Sequence, residues 1–331
     1  MTVAAVIGAG AWGTALADLL ARNGHDVRLW AYEPDVVEGI TTARENAAFL
    51  PGVTLAESLA ATTSLDEAAA GAELVLFATP SHHLRRIAGQ VTSVADDAIV
   101  AVASKGIERG SLALMTDVVE AALPGRPIVA ISGPSFAAEV AAGQPTAIVA
   151  AARDVVAAQK VQEALSGRAF RVYTHDDVIG VELGGALKNV MAVATGIAEG
   201  AGLGFNSRAA LITRGLAEMT RLGVALGAQP LTFLGLAGVG DLVLTCTGAL
   251  SRNRAVGMEI GRGATLAQAL EGKQTVAEGV NTTESAHALA ARTGVEMPIV
   301  AMVYRVLFEG YTAERGVAEL MARDLRAEQD A

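Results

Sequence analysis

The sequence predicts an α/β protein. A Rossmann-type, doubly wound, mostly parallel sheet is expected over residues 1–175, and an all-helical substrate and catalytic domain over 176–331. Three observations carry this. A glycine-rich turn joins an apolar strand to a helix within the first twenty residues. Short apolar runs then alternate with alanine- and leucine-rich helical stretches. After about residue 176 only helical periodicity remains.

The first strand covers 3–7 and the first helix 13–22, with Gly8, Gly10 and Gly13 between them as G-x-G-x-x-G. Gly8 allows the tight turn, Gly10 the approach of a pyrophosphate, and Gly13 close packing of helix on strand. The phosphates would sit at the positive end of the helix. The motif is weak alone; the strand before it, the helix after it and a second strand at 26–31 supply the context it needs. Glu33, twenty residues beyond Gly13, lies near where an acidic residue holds the ribose 2′-hydroxyl of NAD. Tyr32 falls beside the adenine or the ribose. Arg28 lies within the second strand, and Arg44 is a loop arginine able to reach a 2′-phosphate, so NAD and NADP both stay open.

Further strands are expected at 73–79, 98–103, 127–131, 146–151 and 170–173, with helices at 66–70, 82–89, 111–122 and 153–166. Ligands of such sheets bind beyond the carboxyl ends of the strands. Three of these ends carry chemistry: Thr79-Pro80-Ser81, Ser104-Lys105-Gly106, and Ser132-Gly133-Pro134-Ser135-Phe136. Lys105 on a glycine-flanked loop suits neutralising a phosphate or polarising a carbonyl. Gly133 and Ser135 offer backbone amides and a hydroxyl. The plainer readings are a solvated lysine and an ordinary turn.

In the second half, helices are expected at 177–200, 207–227, 252–261, 282–293 and 299–308. Lys188 is the only charge between Glu182 and Glu199. Leu183, Leu187, Val190, Met191, Ala194 and Ile197 form an apolar stripe, while Gly184, Gly185, Ala192, Thr195 and Gly196 surround or continue the lysine's face. Each glycine inside a helix costs about 1 kcal/mol relative to alanine, so close approach of a backbone or a ligand has a use here. A desolvated lysine is a candidate general acid; a surface lysine on an amphipathic helix is the plainer reading. The uncharged window Leu222–Gly240 contains Gln229-Pro230 and five glycines, and reads as helix, turn and loop rather than a membrane span.

Asp241 and Thr245 lie four apart, on one face if the segment is helical; a capping role for Asp241 after three glycines is the alternative. In Ser251-Arg252-Asn253-Arg254, Arg252 with Asn253 can grip a phosphate, or the arginines are simply solvated. Glu278 can accept a hydrogen bond from a ribose or carboxamide.

The formal net charge of −10 argues against nucleic acid and anionic membranes as partners. The single cysteine, Cys246, excludes an intrachain disulfide and a cysteine zinc cluster, and the five histidines lack ligand spacing. No metal is expected. His82 and His83 belong to a loop or helix start after Pro80. The apolar N-terminus lacks a basic leader region. The chain reads as soluble and cytoplasmic, with no membrane insertion; its oligomeric state stays open, a homodimer included.

A dinucleotide, two lysines, a carboxylate and an anion clamp suit hydride transfer to a small phosphorylated carbonyl compound. A related sugar-acid or hydroxyacid dehydrogenase would share the fold without needing the S-R-N-R clamp. A nucleotide-sensing protein would have no need of Lys188 beside Lys105 and Asp241. The runs G-A-G-A-W-G-T-A-L, S-K-G, I-S-G-P-S-F-A-A-E, I-G-V-E-L-G-G-A-L-K-N-V, A-L-I-T-R-G-L-A-E-M, G-D-L-V-L-T-C and S-R-N-R, in order over almost the whole chain, closely resemble the bacterial NAD(P)-dependent glycerol-3-phosphate dehydrogenases. The resemblance implies reduction of dihydroxyacetone phosphate to sn-glycerol 3-phosphate for phospholipid synthesis. It implies that Lys188 is the catalytic proton donor and acceptor, and that Lys105, Gly133, Ser135, Asp241, Ser251, Arg252 and Asn253 surround the substrate, with Thr245 beside Asp241. It places Ala11, Trp12, Tyr32, Lys105, Ala137, Arg252, Val276 and Glu278 on the cofactor, together with Gly8, Gly10 and Gly13 of the turn. Ala11 stands where many relatives have serine, and Tyr32 where relatives often have a basic or imidazole side chain.

Overall fold

The computed structural model describes residues 1–272, 277–325, 327 and 328. The strands are β1 (Val3–Ile7), β2 (Asp26–Trp30), β3 (Ala60–Thr62), β4 (Leu74–Phe77), β5 (Ile99–Val102), β6 (Ile128–Ser132), β7 (Thr146–Ala151) and β8 (Phe170–His175). They form one sheet in the order β3-β2-β1-β4-β5-β6-β7-β8. Every neighbouring pair is parallel except β6 with β7. Side chains alternate between the sheet's faces: Ala4 and Val6 join one buried cluster, Ala5 and Ile7 the other. Helices cover both faces, which is why the central strands read as unbroken apolar runs.

The register aligns the strand ends. Ile7 lies beside Phe77, Phe77 beside Val102, and Val102 beside Ala130. The segments leaving β1, β4, β5 and β6 therefore emerge side by side. The chain order reverses at β1, where the crevice of a doubly wound sheet opens.

Periodicity missed β3, a three-residue edge strand with no buried residue. It also missed the helices Pro34–Ala43, Ala137–Ala141, Leu266–Leu270 and Ala313–Met321. Pro34–Ala43 buries only Val36 and Ile40, too little to mark an apolar stripe. The helix expected over 111–122 begins at Met115, because Leu112 has φ 58° and the preceding residues close a turn through Glu108 N–H to Ala113 O.

After His175 the described residues form helices and no strand. Val178–Gly200 lies at their centre, packed against Phe205–Ala225, Asp241–Thr247, Arg252–Gly261, Glu278–Thr293 and Pro298–Phe308. It is the one helix among the described residues long and apolar enough to cross a membrane, but its apolar side chains are core. The 222–240 window resolves into the end of Phe205–Ala225, a 3-10 turn at Pro230–Leu234 and a π-helical turn at Leu236–Gly240.

The glycine stripe is used for backbone contact. A Cβ on Gly196 would lie 2.2 Å from the Arg254 carbonyl oxygen, and one on Gly257 would lie 2.3 Å from that of Val193. Gly184 meets the Ala237 carbonyl at 2.3 Å in the same sense. The helices touch main chain to main chain, as small residues permit. Gly185 differs: a Cβ there would lie 2.6 Å from Ser132 Oγ and 3.5 Å from Lys105 Cδ. There the central helix meets the strand-end loops.

Candidate active site

The glycine turn leaves β1 with Gly8 at φ +118°, a conformation that disfavours any side chain. A Cβ on Gly13 would fall 1.9 Å from the Gly8 carbonyl oxygen, so the Ala11–Arg22 helix starts hard against the strand end. Gly10 is open: a Cβ there would meet nothing within 4 Å. The amides of Gly10, Ala11, Trp12 and Gly13 find no partner among the described residues, and no acidic side chain stands in the first turn. Unpartnered donors at the positive end of a helix fit a pyrophosphate.

Tyr32, just past β2, is 71% exposed, and Glu33 occupies the cap position of the next helix without a capping bond. Arg28 points away, donating to the carbonyls of Glu67 and Ala70. Arg44 does not reach back either; it holds the carbonyls of Ala56 and Leu59. Neither arginine is placed for a 2′-phosphate.

Lys188 is buried, with 8% of its surface exposed. Its Nζ donates to Asp241 Oδ1, while Lys105 Nζ donates to Oδ2 at 2.8 Å. Asp241 is not a cap: Gly240 holds that position, and the carboxylate is spent on the two ammoniums. Thr245, one turn on, donates to the Asp241 carbonyl at 2.6 Å and lies 3.3 Å from Oδ1. Burial lowers the Lys188 pKa from its ordinary 10.5 to about 8, with the Lys105 charge adding to the fall and Asp241 opposing it. For Asp241, burial pushes upward, but the two lysines outweigh it and the carboxyl stays below its usual range. Two ammoniums on one carboxylate leave an excess positive charge, placed to stabilise an oxyanion.

Glu278 opens the Glu278–Thr293 helix and reaches across to the sheet half, accepting from Ser81 N–H at 3.0 Å and Ser81 Oγ at 2.6 Å. Burial raises its pKa; the Ser81 bonds and the Arg252 and His83 charges oppose the rise. Gly106 allows this approach, since a Cβ there would sit 2.8 Å from Ser81 Cβ. Within S-R-N-R the residues do different work. Ser251 caps its helix by accepting from Arg254 N–H, and Arg254 pairs with Glu199. Asn253 bonds Asn189 and Gly279 N–H, each at 2.9 Å. Arg252 is exposed and makes no hydrogen bond or ion pair among the described residues. A guanidinium free in this way is ready for an anion.

The family model for the NAD-dependent glycerol-3-phosphate dehydrogenase N-terminus matches residues 3–158, and that for the C-terminus matches 177–318. The chain belongs to this family. The glycerol-3-phosphate dehydrogenase, NAD(P)+, of Geobacter sulfurreducens is 57% identical over 328 residues, covering 98% of each chain. That of Citrifermentans bemidjiense is 56% identical with the same coverage. The crystal structure of glycerol-3-phosphate dehydrogenase from Coxiella burnetii superposes with a TM-score of 0.94 at 42% identity, covering 97% of this chain and 99% of that one.

Among the family motifs, Lys105, Lys188, Asp241 and Thr245 come together at one point. Gly133 and Ser135 follow β6, with Ser135 Oγ donating to the Gly133 carbonyl at 2.9 Å, and Ala137 begins the helix beyond. Val276 lies outside the described residues. Sequence reasoning did not single out Asn189, which anchors Asn253; its position beside Lys188 was the available signal. Ser81 was named at a chemistry-bearing strand end, but its pairing with Glu278, 197 residues away, left no signal in the spacing.

Proposed function

We propose that the chain is an NAD(P)-dependent glycerol-3-phosphate dehydrogenase, reducing dihydroxyacetone phosphate to sn-glycerol 3-phosphate for glycerophospholipid synthesis. The observation that carries the reading is the convergence of Lys188 and Lys105 on the buried Asp241, in a chain of this family. When bound, the nicotinamide cofactor would supply a hydride for C2 of the ketone. Gly10, Ala11, Trp12 and Gly13 would hold its pyrophosphate through their open amides, with Gly8 shaping the turn; Tyr32, Ala137 and Glu278 would border the rest. Lys188, as the ammonium, gives its proton to the C2 oxygen and regains one from solvent. Lys105 stabilises the charge developing on that oxygen. Asp241, backed by Thr245, orients both lysines and opposes the fall in the Lys188 pKa. Arg252 binds the substrate phosphate, with Ser251 and Asn253 fixing its helix and loop, and Gly133 and Ser135 line the opposite wall. Binding energy from the remote phosphate thus orients the reacting carbon.

The domain boundary is proposed between residues 175 and 176. β8 ends the sheet at His175, and Asp177 caps the central helix by accepting from Gly180 N–H at 2.9 Å. A cytoplasmic location is supported by the single cysteine, unpaired and buried, as suits a reducing compartment.

The test is an assay of dihydroxyacetone phosphate with NADH and with NADPH, side by side. Oxidation of both nucleotides, with sn-glycerol 3-phosphate as product, is expected. Turnover of a non-phosphorylated hydroxyacid pair and none of dihydroxyacetone phosphate would overturn the reading.

A further inference from the structure

We propose that Asn46 is a positioning residue for the cofactor's pyrophosphate, aiming the Gly10 amide from a loop remote in sequence. It rests on the reading that the glycine turn binds the cofactor. Asn46 is 1% exposed, and its Nδ2 donates to the Ala9 carbonyl at 2.8 Å. The same Nδ2 donates to Thr14 Oγ1 at 2.8 Å, and Thr14 Oγ1 donates in turn to the Ala9 carbonyl at 3.2 Å. Both lone pairs of that carbonyl are thereby engaged on the buried side. Across a planar trans peptide the C=O and the next N–H point in opposite directions. Pinning the Ala9 oxygen inward therefore points the Gly10 N–H outward, to the open side of the turn.

Asn46 is itself held. Its Oδ1 accepts from Phe49 N–H at 3.1 Å, and its carbonyl accepts from Leu50 N–H at 2.8 Å. The side-chain amide has an acceptor role on one side and donor roles on the other, so its orientation is determined by its partners. The rest of the loop is tied down as well. Ala56 N–H donates to Asp18 Oδ1 at 2.6 Å on the first helix, and Arg44 grips the Leu59 carbonyl at 3.0 Å. The buried Asn46 amide thus stands behind the turn, and the ligand side of Gly10 stays clear.

The experiment measures equilibrium dissociation constants, by nucleotide fluorescence or calorimetry, for NADH, ADP and adenosine. In Asn46→Ala, NADH and ADP should bind about tenfold more weakly, the scale of one charge-assisted hydrogen bond, while adenosine changes less than about twofold. Thr14→Val removes the second support of the same carbonyl and should show the same pattern, smaller. It carries the test if Asn46→Ala cannot be purified folded. Unchanged NADH affinity, or equal loss for adenosine, overturns the positioning role. Gly13→Ala serves as the control on the turn. If it weakens NADH and Asn46→Ala does not, only the Asn46 proposal falls; if neither does, the placement of the cofactor falls with it.

Discussion

The glycine turn at Gly8–Gly13 and the cluster of Lys105, Lys188 and Asp241 both lie at the carboxyl ends of one sheet, yet they are assembled in opposite ways. The turn is contiguous, and its working groups are main-chain amides left bare by glycine and by a helix start. The cluster draws on side chains 136 and 53 residues apart, one from a strand-end loop and two from helices of the other half. The turn reads as a motif because its geometry is local. The cluster is assembled where Gly184 lets the Ala237 backbone approach the central helix and Gly185 leaves room for the Lys105 side chain. Burial then shifts the Lys188 pKa, which an isolated lysine would not show.

The largest test of that contrast is Lys188→Ala. Asp241 keeps Lys105 as its partner, so no buried charge is orphaned, and the fold should persist. The kcat for dihydroxyacetone phosphate should fall by roughly two to four orders of magnitude, as for loss of a general acid. NADH affinity, the property of the turn, should hold. Near-normal turnover would remove Lys188 from catalysis, and a parallel loss of NADH affinity would show that the two regions are not independent.

Arg252→Ala comes next. Losing a cation that a bound phosphate buries should cost about 2–5 kcal/mol in kcat/KM for dihydroxyacetone phosphate. Dihydroxyacetone, which has no phosphate, should be affected far less. Equal losses on the two substrates would mean that Arg252 is no phosphate clamp.

The pH profile separates the regions without mutation. Lys188 has its pKa lowered to about 8, so the ammonium needed for reduction is present below that pH and lost above it. The kcat for reduction should therefore fall about tenfold per unit above pH 8, while sn-glycerol 3-phosphate oxidation, which needs the free amine, rises to a plateau. NADH binding to a turn of main-chain amides should stay level over the same range. A level reduction profile up to pH 10 would place the working proton elsewhere.

Tyr32→Arg is the smallest change. It puts a cation at the end of β2, where neither Arg28 nor Arg44 stands free. The preference should move toward NADPH by about tenfold, equivalent to about 1.4 kcal/mol. An unchanged ratio of kcat/KM for the two nucleotides would mean that Tyr32 does not face the ribose.

Legibility followed burial and locality. The central strands and the long helices were readable because each buries enough apolar surface to leave a period of two or 3.6. β3 and the short helices bury too little to leave that mark. The residues of the S-R-N-R run were readable as polar, but not their division of labour. Ser251 caps, Arg254 pairs with Glu199, Asn253 ties down Asn189, and only Arg252 is left for a ligand. Those partners lie on other elements, and spacing along the chain does not reveal them.

The sequence by itself determined the fold class, the dinucleotide turn and the isolation of one lysine in an uncharged helix, because periodicity, glycine spacing and charge depletion are local properties. Tertiary structure decided what the glycine stripe is for, and that Asp241 bridges two lysines instead of capping a helix. It also decided that Asn46 stands behind the Ala9 carbonyl. Each of these depends on which main-chain and side-chain atoms meet when distant segments pack, and on the loss of solvent around them.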